Sequence, residues 1–100
     1  MRFKIASALF IITSICCMSF IQEGKKKIVF FGDSITELGV KKGGYIDLLN
    51  NRIASKGQTN QFELLGAGIG GNKIYDLYLR LERDVLDKAP NVVVIWVGVN

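Results

Sequence analysis

One hundred residues with a formal net charge of +4 leave room for one small domain. Arg2 and Lys4 carry half of that charge; without them 11 Lys+Arg face 9 Asp+Glu, a net of +2 that makes no case for a nucleic-acid partner. Histidine is absent and both cysteines, Cys16 and Cys17, stand near the N-terminus, so the rest of the chain is designed without disulfides, thiol catalysis or a Cys-ligated metal.

The chain opens on a basic stretch, Met1 to Lys4, followed by the 17 uncharged residues Ile5 to Ile21. This is the pattern of a secretory signal and predicts a secreted or periplasmic protein. Residues 1–19 are expected to be the signal peptide, with Cys17 and Ser19 as the small residues before the cut. An uncleaved anchor reaching to about residue 21 is the alternative, and the only membrane contact foreseen. Lipid attachment at Cys16 or Cys17 is a weaker option, because Ile15 or Cys16 precedes where a small residue is wanted. Residues 20–26 form a basic lead-in, and Lys25, Lys26 and Lys27 read as a solvated run.

From Lys27 to Gly32 the β-branched and aromatic run KIVFFG predicts a buried strand. A polar, Gly-rich connection to Gly44 follows, and then Tyr45, Leu48, Leu49, Arg52 and Ile53 fall at helical spacing, with Gly57 as the stop. FELLGAG predicts a second strand, after which Asn72 opens a longer helix. Its apolar stripe is Ile74, Leu77, Tyr78, Leu81, Val85 and Leu86, and Pro90 ends it. VVVIWVGVN, almost wholly apolar, predicts a strand covered on both faces.

The order β-α-β-α-β implies a parallel sheet with right-handed crossovers, a doubly wound, flavodoxin-like three-layer α/β/α sandwich. Three strands and two helices would leave a sheet edge or face uncovered, so residues 27–100 are expected to be the N-terminal part of a longer domain. Ligands bind such sheets beyond the carboxyl ends of the strands. All three ends carry distinctive loops here: GDS, GAGIGGN and GVN.

A serine just past a buried strand can be held where its hydroxyl projects into the cleft, although taken alone the pair reads first as Asp33 or Ser34 capping a helix. Gly66, Gly68 and Gly71 fit two patterns. They match the G-x-G-x-x-G of dinucleotide loops, and they suit a loop offering N–H groups to a carbonyl oxygen. Against the dinucleotide pattern, a strand and helix precede the loop, and the next strand ends in GVN with no acidic residue for a ribose.

GDSIT, GAGIGGN and GVN, in this order at the ends of successive strands, resemble the first three sequence blocks of the SGNH hydrolases, the GDSL-type esterases and lipases. The resemblance spans about Lys27 to Asn100. It implies that Ser34 is the nucleophile and that the N–H groups of Ser34 and Gly71, with the side-chain amide of Asn100, form the oxyanion hole. Fixed donors stabilise the charge that develops on an ester oxygen, each worth on the order of 3 kcal/mol. Asn serves at 100 because only the amide can donate. The implied reaction is hydrolysis of an acyl or acetyl ester, whether acylated sugar, lipid or thioester, with no metal or organic cofactor.

The chain departs from the family pattern at Gly66, where Asn is usual, and at Lys73, where Thr or Ser is common; Lys73 is expected to be a solvated first-turn residue. Asp33 is expected to serve loop structure. The family's catalytic histidine lies in a D-x-x-H block, which this chain lacks. A serine without an adjacent base is a poor nucleophile, so the 100 residues alone are expected to be inactive and the base to lie outside them. The alternative function is a non-catalytic secreted remnant that binds glycan or lipid; a dinucleotide-binding domain ranks below it.

Overall fold

A computed structural model describes residues 24–100; the expected signal peptide and its cleavage site lie outside the described residues. Strand β1 runs over Lys26–Gly32, helices α1 and α2 over Ser34–Gly39 and Tyr45–Ser55, strand β2 over Phe62–Gly68, helix α3 over Ile74–Asp84 and strand β3 over Val92–Trp96. One turn of 3-10 helix, Leu86–Lys88, sits between α3 and β3.

The strands form one parallel sheet in the order β2-β1-β3, with Ile28 opposite both Leu64 and Val92. This is the predicted doubly wound α/β arrangement, with β1 in the centre. Alternation along β1 divides the core between two faces. Val29 and Phe31 pack with Ala67, Leu77 and Val85 under α3. Phe30 faces the other way, its ring 5.7 Å from that of Tyr45 at the start of α2.

Helix α1 lies within the stretch expected as a polar connection. Six residues are too few to display a 3.6-residue period, and the residues the helix buries are Thr36 and Gly39 rather than large apolar side chains. Helix α2 begins and ends where its spacing predicts. Helix α3 starts one residue later than expected: the cap is Lys73, because the Asn72 side-chain oxygen accepts a hydrogen bond from Arg80 Nε at 2.8 Å instead of capping the helix. The Asp76 carboxylate accepts the Lys73 N–H at 2.8 Å and satisfies one terminal donor. The helix also ends before Pro90, at Asp84.

Only part of the predicted α3 stripe is buried. Leu77 and Val85 are enclosed and Leu81 is partly covered, while Ile74, Tyr78 and Leu86 remain exposed. The sheet beneath α3 is β1 and β2. Ile74 and Tyr78 extend beyond it toward β3, and with Phe31, Ile95 and Val97 they border a shallow apolar depression.

Strand β3 supplies the sheet edge expected to be left uncovered in a partial domain. All five of its residues are exposed, from 37% at Val93 to 61% at Ile95. It is an edge strand bonded only to β1, and the helices lie mainly over the other two strands. It is also shorter than expected, stopping at Trp96. Its start is fixed by Asn91, whose side-chain oxygen accepts from Lys27 N–H and whose own N–H donates to Lys27 O, both at 2.8 Å.

The two faces of α3 predict a contrast. Leu77→Ala should cost about 2–5 kcal/mol of stability in a denaturant titration, whereas Leu79→Ala, at a side chain 79% exposed, should stay within about 0.5 kcal/mol.

Candidate active site

At the carboxyl end of β1 the chain turns through Asp33, which is completely buried and caps α1. Its Oδ1 accepts the Ile35 N–H at 3.0 Å and its carbonyl accepts the Glu37 N–H at 2.9 Å. The second carboxylate oxygen, Oδ2, has no partner among the described residues. Asp33 is thus the helix cap that the D-S pair suggested, and the capping role delivers Ser34 as the first helical residue, half-buried at the end of the sheet. Among the described residues the Ser34 N–H has no acceptor. Below it, the buried Thr36 hydroxyl hydrogen-bonds the Tyr45 hydroxyl at 2.8 Å and ties α1 to α2.

The end of β2 lies against this turn. A Cβ at Gly68 would collide with Glu37 N and the Asp33 carbonyl, so the close approach needs glycine. Ile69 N–H donates to Gly32 O at 3.1 Å, and Asn72 N–H returns to Ile69 O at 3.3 Å. Gly71 sits third in that turn with φ of +78°, the value a type II turn requires there. No atom lies within 4 Å of a Cβ built on Gly71, so its backbone conformation, not crowding, calls for glycine. Its N–H has no acceptor among the described residues. The loop meets Ser34 at Gly70, where a Cβ would lie 3.8 Å from Ser34 Cβ.

At the end of β3, Asn100 Nδ2 donates to the Asn72 carbonyl at 3.1 Å. The third loop is thereby joined to the second. A carboxamide has two N–H donors, so this bond orients the group and leaves one free. Ser34 and Gly71 thus come to one edge through Gly70, and Asn100 joins them through Asn72. Gly66 lies back in β2, and Lys73 is an exposed cap on the far side of the turn.

One buried residue of this edge is invisible in the motif pattern. Arg80 of α3 reaches under the loops to Gly32 O, Ala67 O and Asn72 Oδ1, and pairs with Asp84 at 3.0 Å. Arg83 contacts the same carboxylate at 2.7 Å, and chiefly its hydrogen bond, with that of Arg80, holds Asp84 down at about 2. Among the described residues no group of three or more His, Cys, Asp or Glu side chains is arranged to hold a metal ion, and no helix is long and apolar enough to cross a membrane.

A serine in the first turn after β1, a glycine turn against it with N–H groups that lack acceptors among the described residues, and an amide tied to that turn all gather at the carboxyl edge of a parallel α/β sheet. Residues 30–100 match the model of the GDSL-like lipase/acylhydrolase family, and the chain belongs to that family. It is 29% identical over 86 residues to an acetylxylan esterase of Geobacillus stearothermophilus, covering 75% of this chain and 39% of that protein. Among solved structures it resembles the acetyl xylan esterase AlAXEase, with 66% identity, a TM-score of 0.72 and coverage of 73% of this chain and 37% of that one. It also resembles LAE5, an alpha/beta hydrolase from the metagenome of Lake Arreo, Spain, at 30% identity and a TM-score of 0.67, covering 78% and 41%. The chain thus spans about two fifths of the relatives it matches. Catalytic mutants of the Geobacillus enzyme include one serine-to-alanine and one histidine-to-alanine change.

The depressed Asp84 carboxyl predicts an acid-side effect. A group titrating lower in the folded state stabilises the fold above its ordinary pKa, near 4, and the contribution fades as pH falls toward 2. In thermal melts, Asp84→Asn should lower Tm at pH 5–7, and the gap to the parent protein should close between about pH 4 and pH 2.

Proposed function

We propose that this chain is part of a serine ester hydrolase that removes acetyl groups from a xylan-type polysaccharide. The observations that support the reading are the meeting of Ser34 with the Gly70–Gly71 turn, the lack of an acceptor for the Ser34 and Gly71 N–H groups among the described residues, and the bond that ties the Asn100 amide to the Asn72 carbonyl at the end of that turn. The names of the relatives supply the substrate class, and the acetyl xylan esterase of 66% identity weighs most.

In the proposed mechanism, a histidine from outside these 100 residues takes the proton of the Ser34 hydroxyl as its oxygen attacks the ester carbonyl. The tetrahedral oxyanion is held by the N–H groups of Ser34 and Gly71 and by the free N–H of the Asn100 amide. Collapse releases the sugar hydroxyl, which receives the proton back from the histidine, and leaves an acetyl group on Ser34. Water, deprotonated by the same histidine, then attacks that acyl-enzyme and frees acetate. The uncharged segment Ile5 to Ile21 fits export to where a polysaccharide is met.

The test uses the complete enzyme with acetylated xylan and p-nitrophenyl acetate. Ser34→Ala should reduce kcat by at least about 10³-fold and abolish fluorophosphonate labelling. Asn100→Ala should lose about 10²–10³-fold in kcat while still being labelled, slowly. Full activity in Ser34→Ala would refute the assignment, and activity on simple esters without acetate release from xylan would refute the substrate.

A further inference from the structure

Arg80 is a cation only 7% exposed, and burying it is costly unless its donors find partners. One ion pair, to Asp84, accounts for part of that requirement. The remaining partners are not on its own helix. Nη2 donates to Gly32 O at 2.7 Å, Nη1 to Ala67 O at 3.0 Å and Nε to Asn72 Oδ1 at 2.8 Å. The Phe31 ring closes the site from the side, its centroid 4.6 Å from the guanidinium carbon.

These acceptors, two backbone carbonyls and the Asn72 side chain, lie on the turns on which the proposed chemistry hangs. Gly32 lies two residues before Ser34, Asn72 directly follows Gly71, and the Asn72 carbonyl in turn accepts the Asn100 amide. Neutralising Asp84 would need none of these contacts. A planar fork with fixed N–H directions can hold three acceptors at set separations, which a lysine ammonium, a single point on a flexible stem, cannot.

We infer that Arg80 is a positioning residue of the acyl-transfer site: its guanidinium sets the separation between the Ser34 turn and the Gly71 turn and, through Asn72, the placement of the Asn100 amide. This rests on the hydrolase reading above. It gives Asn72 a matching role as the joint between Arg80 and the third loop, which explains why that side chain leaves the cap of α3 to Lys73. Displacements well under the size of an atom at such donors reduce the rate of the chemical step while leaving substrate binding nearly intact.

The experiment compares Arg80→Lys, Asn72→Ala and the double variant in the complete enzyme, with Ser34→Ala as the control for the site itself. Steady-state kinetics on p-nitrophenyl acetate are corrected for the folded fraction by circular dichroism. Arg80→Lys should lower kcat on the order of 10- to 100-fold with KM changed less than about threefold. Asn72→Ala, which removes one side-chain bond and keeps the backbone carbonyl, should lower kcat in the same sense. The double variant should be no worse than Arg80→Lys within about twofold, because the two changes remove a shared bond. An unchanged kcat per folded molecule in Arg80→Lys, or a loss confined to KM, overturns the inference. Should Arg80→Lys fail to fold, an unchanged kcat in Asn72→Ala overturns it equally. An inactive Ser34→Ala beside a fully active Arg80→Lys leaves the hydrolase reading standing and this inference refuted; an active Ser34→Ala removes both.

Discussion

Strand β1 is bonded along both edges and covered on both faces, and the rest of the arrangement follows from that. Val29 and Phe31 turn to α3, while Phe30 turns to Tyr45. Each such side chain contributes about 1.5–3 kcal/mol by leaving water, whereas an ion pair on the surface such as Arg83 with Asp84 is screened by solvent. Parallel neighbours on both edges force a crossover on each side, and right-handed crossovers put α2 and α3 on opposite faces. The loops after all three strands must then open at the same edge. The chemistry of the site is thus an outcome of which strand lies in the middle.

Asp33 and Arg80 are enclosed near that edge, and each bonds backbone there. Asp33 is wholly buried and gives one oxygen to the first turn of α1, which fixes the direction in which Ser34 leaves the strand. Arg80 gives its donors to the carbonyl ends of β1 and β2 and to the turn that follows. A carbonyl has two lone pairs, and at the strand ends these take further donors: Gly32 O accepts from both Ile69 N–H and Arg80. A guanidinium supplies several from one point, without requiring each loop to carry its own.

Much of this was legible in the sequence because it rests on local chemistry. β2 reads as FELLGAG with the bounds it has in the structure, and α2 begins at Tyr45 where its spacing says it should. The GDS, GAGIGGN and GVN loops read as one edge because strand ends in a parallel sheet coincide. What escaped depends on partners distant in sequence. Helix α1 is too short to show a period. The apolar run of β3 reads as a strand covered on both faces, and within residues 24–100 nothing lies along its outer edge, so its residues are open there. Asn72 has the composition of a cap, but a bond from eight residues along removes its oxygen from that duty. Arg80 was readable in part, since it falls on the buried stripe beside Leu77 and Leu81 with Asp84 one turn on, where a lone charge calls for a reason.

The glycine pattern of the second loop illustrates how letters and physics part. In a phosphate cradle, glycines let several successive N–H groups face one diffuse anion. Here Gly68 is needed for contact with the α1 turn, and Gly71 for a positive φ with open space around it. The Ile69 and Asn72 N–H groups are already committed, to Gly32 O and Ile69 O. The Gly70 and Gly71 N–H groups remain without acceptors among the described residues, on a turn braced from below by Arg80 through Asn72 and set beside Ser34 at Gly70. That supply of donors is small for a diphosphate and suited to one oxygen, provided the oxygen appears within reach of the serine. Its value therefore lies in where the turn is held, and the glycines only permit a position that the arginine fixes.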